Sequence, residues 1–456
     1  MIARRFFMQH AVSRVLCAIL WLGATGWAHA AEQSLLQLYQ YLHANPELSY
    51  QEQNTAAVYA RELKAAGFEV TVGVGGAAVR ERLQASGATL TDTIGGHGVV
   101  GVLRNGDGPV LMIRADMDGL PVAEQTGLSF ASKAQGIELT GQPVAVMHAC
   151  GHDMHMAVAI GTARGLAAER DKWRGTLVII GQPAEERGAG ARSMLEDGLF
   201  EQFPRPDYNL ALHVSPTLAA GTVGYVSGFM MANVDSVDIT VRGVGSHGAY
   251  PHMGKDPVVL SAAIITSLQT LVSREIAALE PAVVTVGSIH GGSKHNIIPD
   301  RVDLQLTVRS YSDAVRQKLL TGIERIALNQ ARALGFDEDL LPLVTVKQEY
   351  TPALWNDPAL VARTVAAFER ALGAEQVQAV EKVMGGEDFA RYGRTEPRIP
   401  GFMFRLGTVS PQRYAQAQAG DLALPSLHSP FFYPDVEPTL ATGVSAMTAA
   451  ALELLR

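Results

Sequence analysis

The sequence predicts an α/β protein in which a largely parallel central sheet, flanked by helices, is interrupted by an inserted ferredoxin-like βαββαβ domain. Three observations lead there. Short β-rich runs alternate with helical periodicity up to about residue 230, the pattern of a buried parallel sheet. Residues 236–348 then follow the order β-α-β-β-α-β over about 110 residues, the length of one small domain. After that the α/β pattern returns, so the first and last parts build one domain around the second. The implied divisions are 1–30, 31–230, 231–349 and 350–456 of the 456 residues.

Residues 1–30 read as a removed export signal. Arg4, Arg5 and Arg14 precede the apolar stretch Val15–Gly26, and Ala28-His29-Ala30 offers a small-x-small cleavage site. The apolar run is too short to span a bilayer, and Cys17 falls inside the signal. The expected location is periplasmic or secreted. Helical periodicity marks Ser34–Ala44 and Asn54–Ala66, the second closed by Gly67. Strands are expected at Gly98–Leu103, Val110–Arg114, Thr176–Gly181 and Tyr208–His213, with helices at Met154–Ala168 and Ala189–Glu196. In such sheets, sites gather at the carboxyl ends of strands. Asp116, Asp118, Glu185, Glu186 and His213 fall there.

The inserted unit reads as strand Ser236–Arg242, helix Pro257–Ala278, strands Ala282–His290 and Arg301–Arg309, helix Asp313–Ala333 and strand Leu343–Gln348. Pro358–Leu372, Val377–Val383 and a helix from Pro438 complete the chain. The stretch Ala77–Gly96 finds no place in this scheme.

Composition narrows the function. A charged fraction of 18% and a hydrophobic fraction of 47% describe a globular protein, neither disordered nor membrane-embedded. The formal charge is −8, and loss of residues 1–30, with three arginines and no acid, makes the remainder three charges more acidic. With no basic run, nucleic acid and anionic membranes are excluded as partners. Without the signal a single thiol remains, Cys150. An oxidising compartment favours paired cysteines, so a thiolate held by metal gives a reason to keep a lone one.

Cys150 sits in Met147-His148-Ala149-Cys150-Gly151-His152-Asp153-Met154-His155, which holds three of the chain's 13 histidines. On an extended backbone Cys150 and His152 share a face, and thiolate with imidazole suits zinc and related metals. Gln182-Pro183-Ala184-Glu185-Glu186 places two carboxylates after a strand. One carboxylate can ligate metal while the other moves a proton. Gly243-Val244-Gly245-Ser246-His247-Gly248 matches a dinucleotide fingerprint in form. No helix follows it to hold a pyrophosphate, so that reading fails. Neither a Gly-x-Ser-x-Gly elbow nor a His-Glu-x-x-His helix nor a Walker loop is present.

Together these motifs resemble the co-catalytic metallopeptidase and amidohydrolase family of hippurate hydrolases, N-acyl-amino-acid deacetylases and auxin-conjugate hydrolases. The matching segments are Arg114–Pro121, His148–His155, Gln182–Glu186, Gly245–His252, His295–Pro299, Gly385–Phe389 and Leu427–Pro430, in family order. Ala77–Gly96 departs from the family pattern, and puts local structure or substrate access in question while leaving the chemistry intact. The resemblance implies that Cys150, His152, Glu186, His213 and His428 hold one or two divalent ions (zinc, manganese or cobalt), with Glu185 as general base. It implies a homodimer in which His247 reaches the oxyanion from a second subunit. Asn296 and Arg309 become candidates for gripping the substrate carboxylate, Arg309 as a bidentate partner, and Asp116 and Asp118 for orienting ligands. The expected reaction is hydrolysis of the amide of an N-acyl amino acid, hippurate-like or N-acetyl. The alternatives are a metallo-carboxypeptidase or dipeptidase on short peptides, and a non-catalytic periplasmic binder, which would have no use for Glu185 beside Glu186.

Overall fold

The computed structural model describes residues 34–85, 90 and 93–456; the expected export signal lies outside them. The central sheet has eight strands, in the order Glu69–Val74, Gly98–Asn105, Gly175–Gln182, Val110–Asp116, Tyr208–Ala219, Gly401–Val409, Val223–Tyr225 and Val377–Ala379. Pairing is parallel through the middle four strands and antiparallel beside them. Val110–Asp116 and Gly175–Gln182 are almost wholly buried, because both sheet faces are covered. Alternate residues serve the two faces. Leu111, Ile113, Leu177 and Ile179 meet the helices His152–Ala168 and Val436–Leu454, while Met112, Val178 and Ile180 meet the helix Gly190–Glu196.

A second sheet is antiparallel, in the order Ala282–Gly291, Arg301–Ser310, Asn233–Arg242, Leu343–Val346. Asn233–Arg242 pairs with Arg301–Ser310 along its whole length, and its alternating burial is that of a sheet covered on one face. The helices Pro257–Thr270 and Asp313–Ala333 provide that cover through Leu260, Ile264, Leu319 and Ile323. Both start at sequence-encoded caps. The Asp256 side chain accepts from the Val258 and Val259 N–H groups ahead of Pro257, and Ser312 accepts from Val315 N–H. The chain leaves for this sheet and returns from it along a short ribbon, Gly228–Met231 paired with Leu354–Asn356.

Several expected elements shift. The strand Tyr208–His213 continues to Ala219, which puts His213 in mid-strand. The helix expected to reach Ala278 is α-helical only to Thr270 and ends in a π turn, Leu271–Glu275. Leu343–Val346 and Val377–Ala379 are shorter than expected. The last helix begins at Val436. Gly401–Val409, central to the sheet, was not anticipated. The stretch Ala77–Gly96 gains a place: within it the helix Gly76–Ala85 packs Val79 and Leu83, with Ile94, against Tyr50, Ala184 and Ala189. It thus braces the loop that carries Glu185 and Glu186.

Candidate metal centre and cleft

The Cys150 run does not lie on an extended backbone. Met147 forms a bridge with Leu120, then Gly151 turns the chain with φ of 79° into the helix His152–Ala168. A Cβ at Gly151 would lie 2.6 Å from the Val214 side chain, so glycine is required twice over. Cys150 and His152 therefore converge across a left-handed turn and not along a strand. The Cys150 Sγ lies 3.6 Å from His213 Nε2, and donor atoms of Cys150, His152 and His213 fall within 4.8 Å of one another.

The histidine tautomers follow from their hydrogen bonds. His152 Nδ1 donates to the Asp118 carbonyl at 2.8 Å and His213 Nδ1 donates to the Val214 carbonyl at 2.8 Å. Each leaves the Nε2 lone pair turned towards the cluster. His152 Nε2 and Glu186 Oε1 are both buried without a hydrogen-bond partner among the described residues. Leaving such atoms unmatched is costly, and a thiol, imidazoles and a carboxylate meeting at one point are a donor set that fits a divalent ion.

His428 arrives from far along the chain. Its N–H bonds the Ala149 carbonyl at 2.9 Å, and its backbone holds φ of 66°, a conformation that non-glycine residues adopt at a cost. The ring is 54% exposed, and Nε2 lies 3.4 Å from Glu186 Oε1. Cys150, Glu186 and His428 form a second compact donor group, and His152, Glu185 and Glu186 a third.

Asp118 sets the carboxylate loop. Its two oxygens accept from the Glu185 and Glu186 N–H groups at 3.1 Å each, and from Ser49 Oγ at 2.6 Å. Asp116 lies against the histidines: it accepts from His155 Nδ1 and from Arg114 at 2.6 Å each, and its Oδ2 is 3.6 Å from His152 Nε2. Arg114 also reaches Glu387 at 2.9 Å and Asp388 at 3.1 Å, forming a buried charged layer below the cluster. Burial, with Glu387, Glu186 and Asp388 nearby, holds the Glu185 carboxyl well above the usual carboxylate range.

Cys150, Glu185, Glu186, His213 and His428 line one cavity of about 870 Å³, to which the antiparallel sheet contributes Arg309. Arg309 donates to Thr307 Oγ1 at 3.0 Å. His247 and Asn296 are not brought to this cavity. They share a separate ribbon, Ser246–His247 paired with Ile297–Ile298, where the Gly248 N–H bonds the Asn296 carbonyl. His247 is exposed there. Sequence reasoning assigned no role to Arg114, Glu387 and Asp388, although it quoted their motifs, and it missed Arg405, which also lines the cavity. A lone charge inside Phe402-Met403-Phe404-Arg405-Leu406 was the available signal.

The family model for Peptidase family M20/M25/M40 matches residues 112–451. The N-acetylcysteine deacetylase of Bacillus subtilis (strain 168) is 36% identical over 375 residues, covering 82% of this chain and 88% of that protein. Thermostable carboxypeptidase 2 of Saccharolobus solfataricus is 34% identical over 386 residues, with 83% and 86% covered. Among solved structures, a Bacillus subtilis protein described as a dinuclear metal binding peptidase from the M20 family superposes with a TM-score of 0.70. It is 30% identical, and the match covers 94% of this chain and 99% of that one.

Proposed function

Since the chain belongs to Peptidase family M20/M25/M40, we propose that it is a metal-dependent amidohydrolase cleaving N-acyl amino acids, hippurate-like or N-acetyl. One observation carries this reading: donor atoms from four separate chain segments converge on one cavity with a spare carboxylate, Glu185, beside them. In it, Cys150, His152, Glu186, His213 and His428 hold one or two ions of zinc, manganese or cobalt. A bound divalent ion supplies Lewis-acid polarisation of the amide carbonyl and a water acidified to a pKa of roughly 7. Glu185 takes the water proton and returns it to the departing amine nitrogen. Asp118 keeps Glu185 and Glu186 in place through their N–H groups. Arg309 receives the amino-acid carboxylate, a reading supported by its place in the cavity and its lack of an acidic partner among the described residues.

The antiparallel sheet and its two helices, residues 231–349, are read as a ferredoxin-like lid inserted between catalytic parts 31–230 and 350–456, and as the dimerisation surface. Exposed Val258 and Val259 on its helix support an apolar contact there. His247 of the partner subunit would then meet the oxyanion, with Asn296 beside it. Residues 1–30 would direct the protein to the periplasm or medium.

A carboxypeptidase or dipeptidase is the second reading, favoured by the similarity to a thermostable carboxypeptidase. A screen of N-acetyl, N-benzoyl and dipeptide substrates with zinc, manganese or cobalt separates them. Turnover of the N-acyl amino acids is expected. Cleavage of dipeptides alone would move the assignment to the second reading, and a metal-loaded protein that cleaves nothing would leave a binding protein.

A further inference from the structure

The strand Gly401–Val409 is buried throughout except at Arg405, which is partly buried. Arg405 is paired in register with His213 on one side and with Gly224 on the other. A Cβ at Gly224 would come within 2.8 Å of side-chain carbons of Leu218 and Val380 and 3.3 Å of the Arg405 Cβ. Glycine there leaves the arginine room. The guanidinium belongs to the wall of the cavity that also holds Cys150 and His213, and burial pulls its pKa down.

Among the described residues Arg405 makes no hydrogen bond and no ion pair. That sets it apart from the other arginines removed from solvent. Arg114 meets three carboxylates, and Arg316 grips Asp235 with two nitrogens. Arg309, on the other sheet, lines the same cavity with only the Thr307 hydroxyl as partner. Glu349 and Glu381 stand at the exposed rim, and neither pairs with Arg309 or Arg405. The charges that face Arg405, Glu387 and Cys150, lie beyond ion-pair distance, and a partly buried guanidinium left without a paired carboxylate is unfavourable unless a ligand completes it. Besides the exposed Arg187, the cavity offers two such arginines, one from each sheet, and an N-acetyl amino acid has one carboxylate.

We infer that Arg405 reads a second carboxylate on the acyl side, so that the preferred substrates are amides joining a dicarboxylic acid to an amino acid. This rests on the amidohydrolase reading. Arg309 takes the amino-acid carboxylate and Arg405 the free carboxylate of a succinyl-like or glutaryl-like group. One water is consumed, the C–N bond breaks, and a dicarboxylate and an amino acid leave.

The test compares N-succinyl-, N-glutaryl- and N-acetyl-L-alanine on the metal-loaded enzyme and on Arg405→Gln, with calorimetric titration of succinate and of acetate as a second readout. A charge-assisted pair to carboxylate is worth about tenfold to a hundredfold. The wild-type ratio of kcat/KM for succinyl over acetyl substrate is expected to exceed ten and to collapse by about that factor in Arg405→Gln, mostly through KM. Succinate binding should weaken in parallel, acetate binding should not, and Arg405→Lys should recover part of both. An enzyme that prefers the acetyl substrate, or an Arg405→Gln that lowers both substrates equally, overturns the inference and leaves the amidohydrolase reading standing. Arg405-dependent succinate binding by a protein that cleaves no amide would keep a carboxylate site at Arg405 but overturn both the amidohydrolase reading and the substrate assignment that rests on it.

Discussion

Two pairs of buried histidines in this molecule differ in what their ring nitrogens hold. His152 and His213 each donate Nδ1–H to a backbone carbonyl and keep Nε2 for the cluster. His43 and His155 have both nitrogens engaged. His155 bonds Asp116 through Nδ1 and accepts the Val214 N–H at Nε2, 3.0 Å away. His43 lies between Asp153 at 2.7 Å and Glu124 at 3.1 Å. All four rings are buried or nearly so. The difference teaches that a ligand is marked by a lone pair left over after the protein's own hydrogen bonds are made and turned towards other donors. A free nitrogen alone is not enough, since both His148 nitrogens are buried without a hydrogen bond among the described residues and His148 joins no donor group there. Asp116 and Glu186 repeat the contrast among carboxylates: both Asp116 oxygens are hydrogen-bonded, to Arg114 and His155, while Glu186 Oε1 has no hydrogen bond among the described residues and faces the His428 and His152 rings at 3.4 and 3.9 Å.

The sharpest test acts on the open side of that contrast. Glu185→Gln keeps the shape of the loop and its N–H bonds to Asp118, but removes the group that moves the proton. Turnover is expected to fall by about 10²–10⁴, with metal content by elemental analysis unchanged. Loss of metal together with activity would make Glu185 a ligand, and would erase the distinction drawn between it and Glu186.

Next comes the saturated side. Arg114 is the cation for Asp116, Glu387 and Asp388 in a layer that excludes water. Arg114→Met strands three buried acids, and breaking a buried pair from one side costs about 3–5 kcal/mol. Denaturant unfolding should show that loss near neutral pH. Because burial already pushes Glu387 up to about 7, part of the loss should be recovered in mild acid as the acids protonate. A variant as stable as the parent at pH 8 would mean that the layer is hydrated and not a sealed ion cluster.

The sequence made half of this contrast readable. The donor residues lie in short motifs whose order and residue types point to metal chemistry, and the apolar strands before them place those motifs at one end of a sheet. Which histidine keeps a free nitrogen is decided by contacts across long separations, such as His43 with Asp153 and His428 with Ala149. No local pattern encodes them. Cys150 and His152 converge for a different reason than alternation suggests, because Gly151 turns the chain between them. The strand Gly401–Val409 escaped detection because Arg405 interrupts its apolar run and a buried arginine is rare without a partner. The helix Gly76–Ala85 was missed since it buries few apolar residues, Val79 and Leu83 among them, and shows little periodicity.

His43 allows the smallest but most diagnostic test of the comparison, because its charge is held for structure alone. Burial works against the imidazolium, yet hydrogen bonds to Asp153 and Glu124 and their charges raise its pKa from 6.5 to about 9. A raised folded-state pKa stabilises the fold fully below the unfolded value, and the contribution disappears as pH rises through about 9. The groups facing it are Asp153, Glu124, Tyr39 and, more remotely, His148, whose own pKa burial lowers to about 4. Asp153 and Glu124 have lowered values, so they stay ionised across this range and lose their own contribution only in stronger acid. His43→Gln should therefore cost about 3 kcal/mol between pH 5 and 6.5, with a gap to the parent that narrows steadily towards pH 9. Metal content should be unaffected, since neither His43 nitrogen is free. A gap that widens with pH would mean that His43 is neutral in the fold, and the division between saturated and open histidines would have to be redrawn.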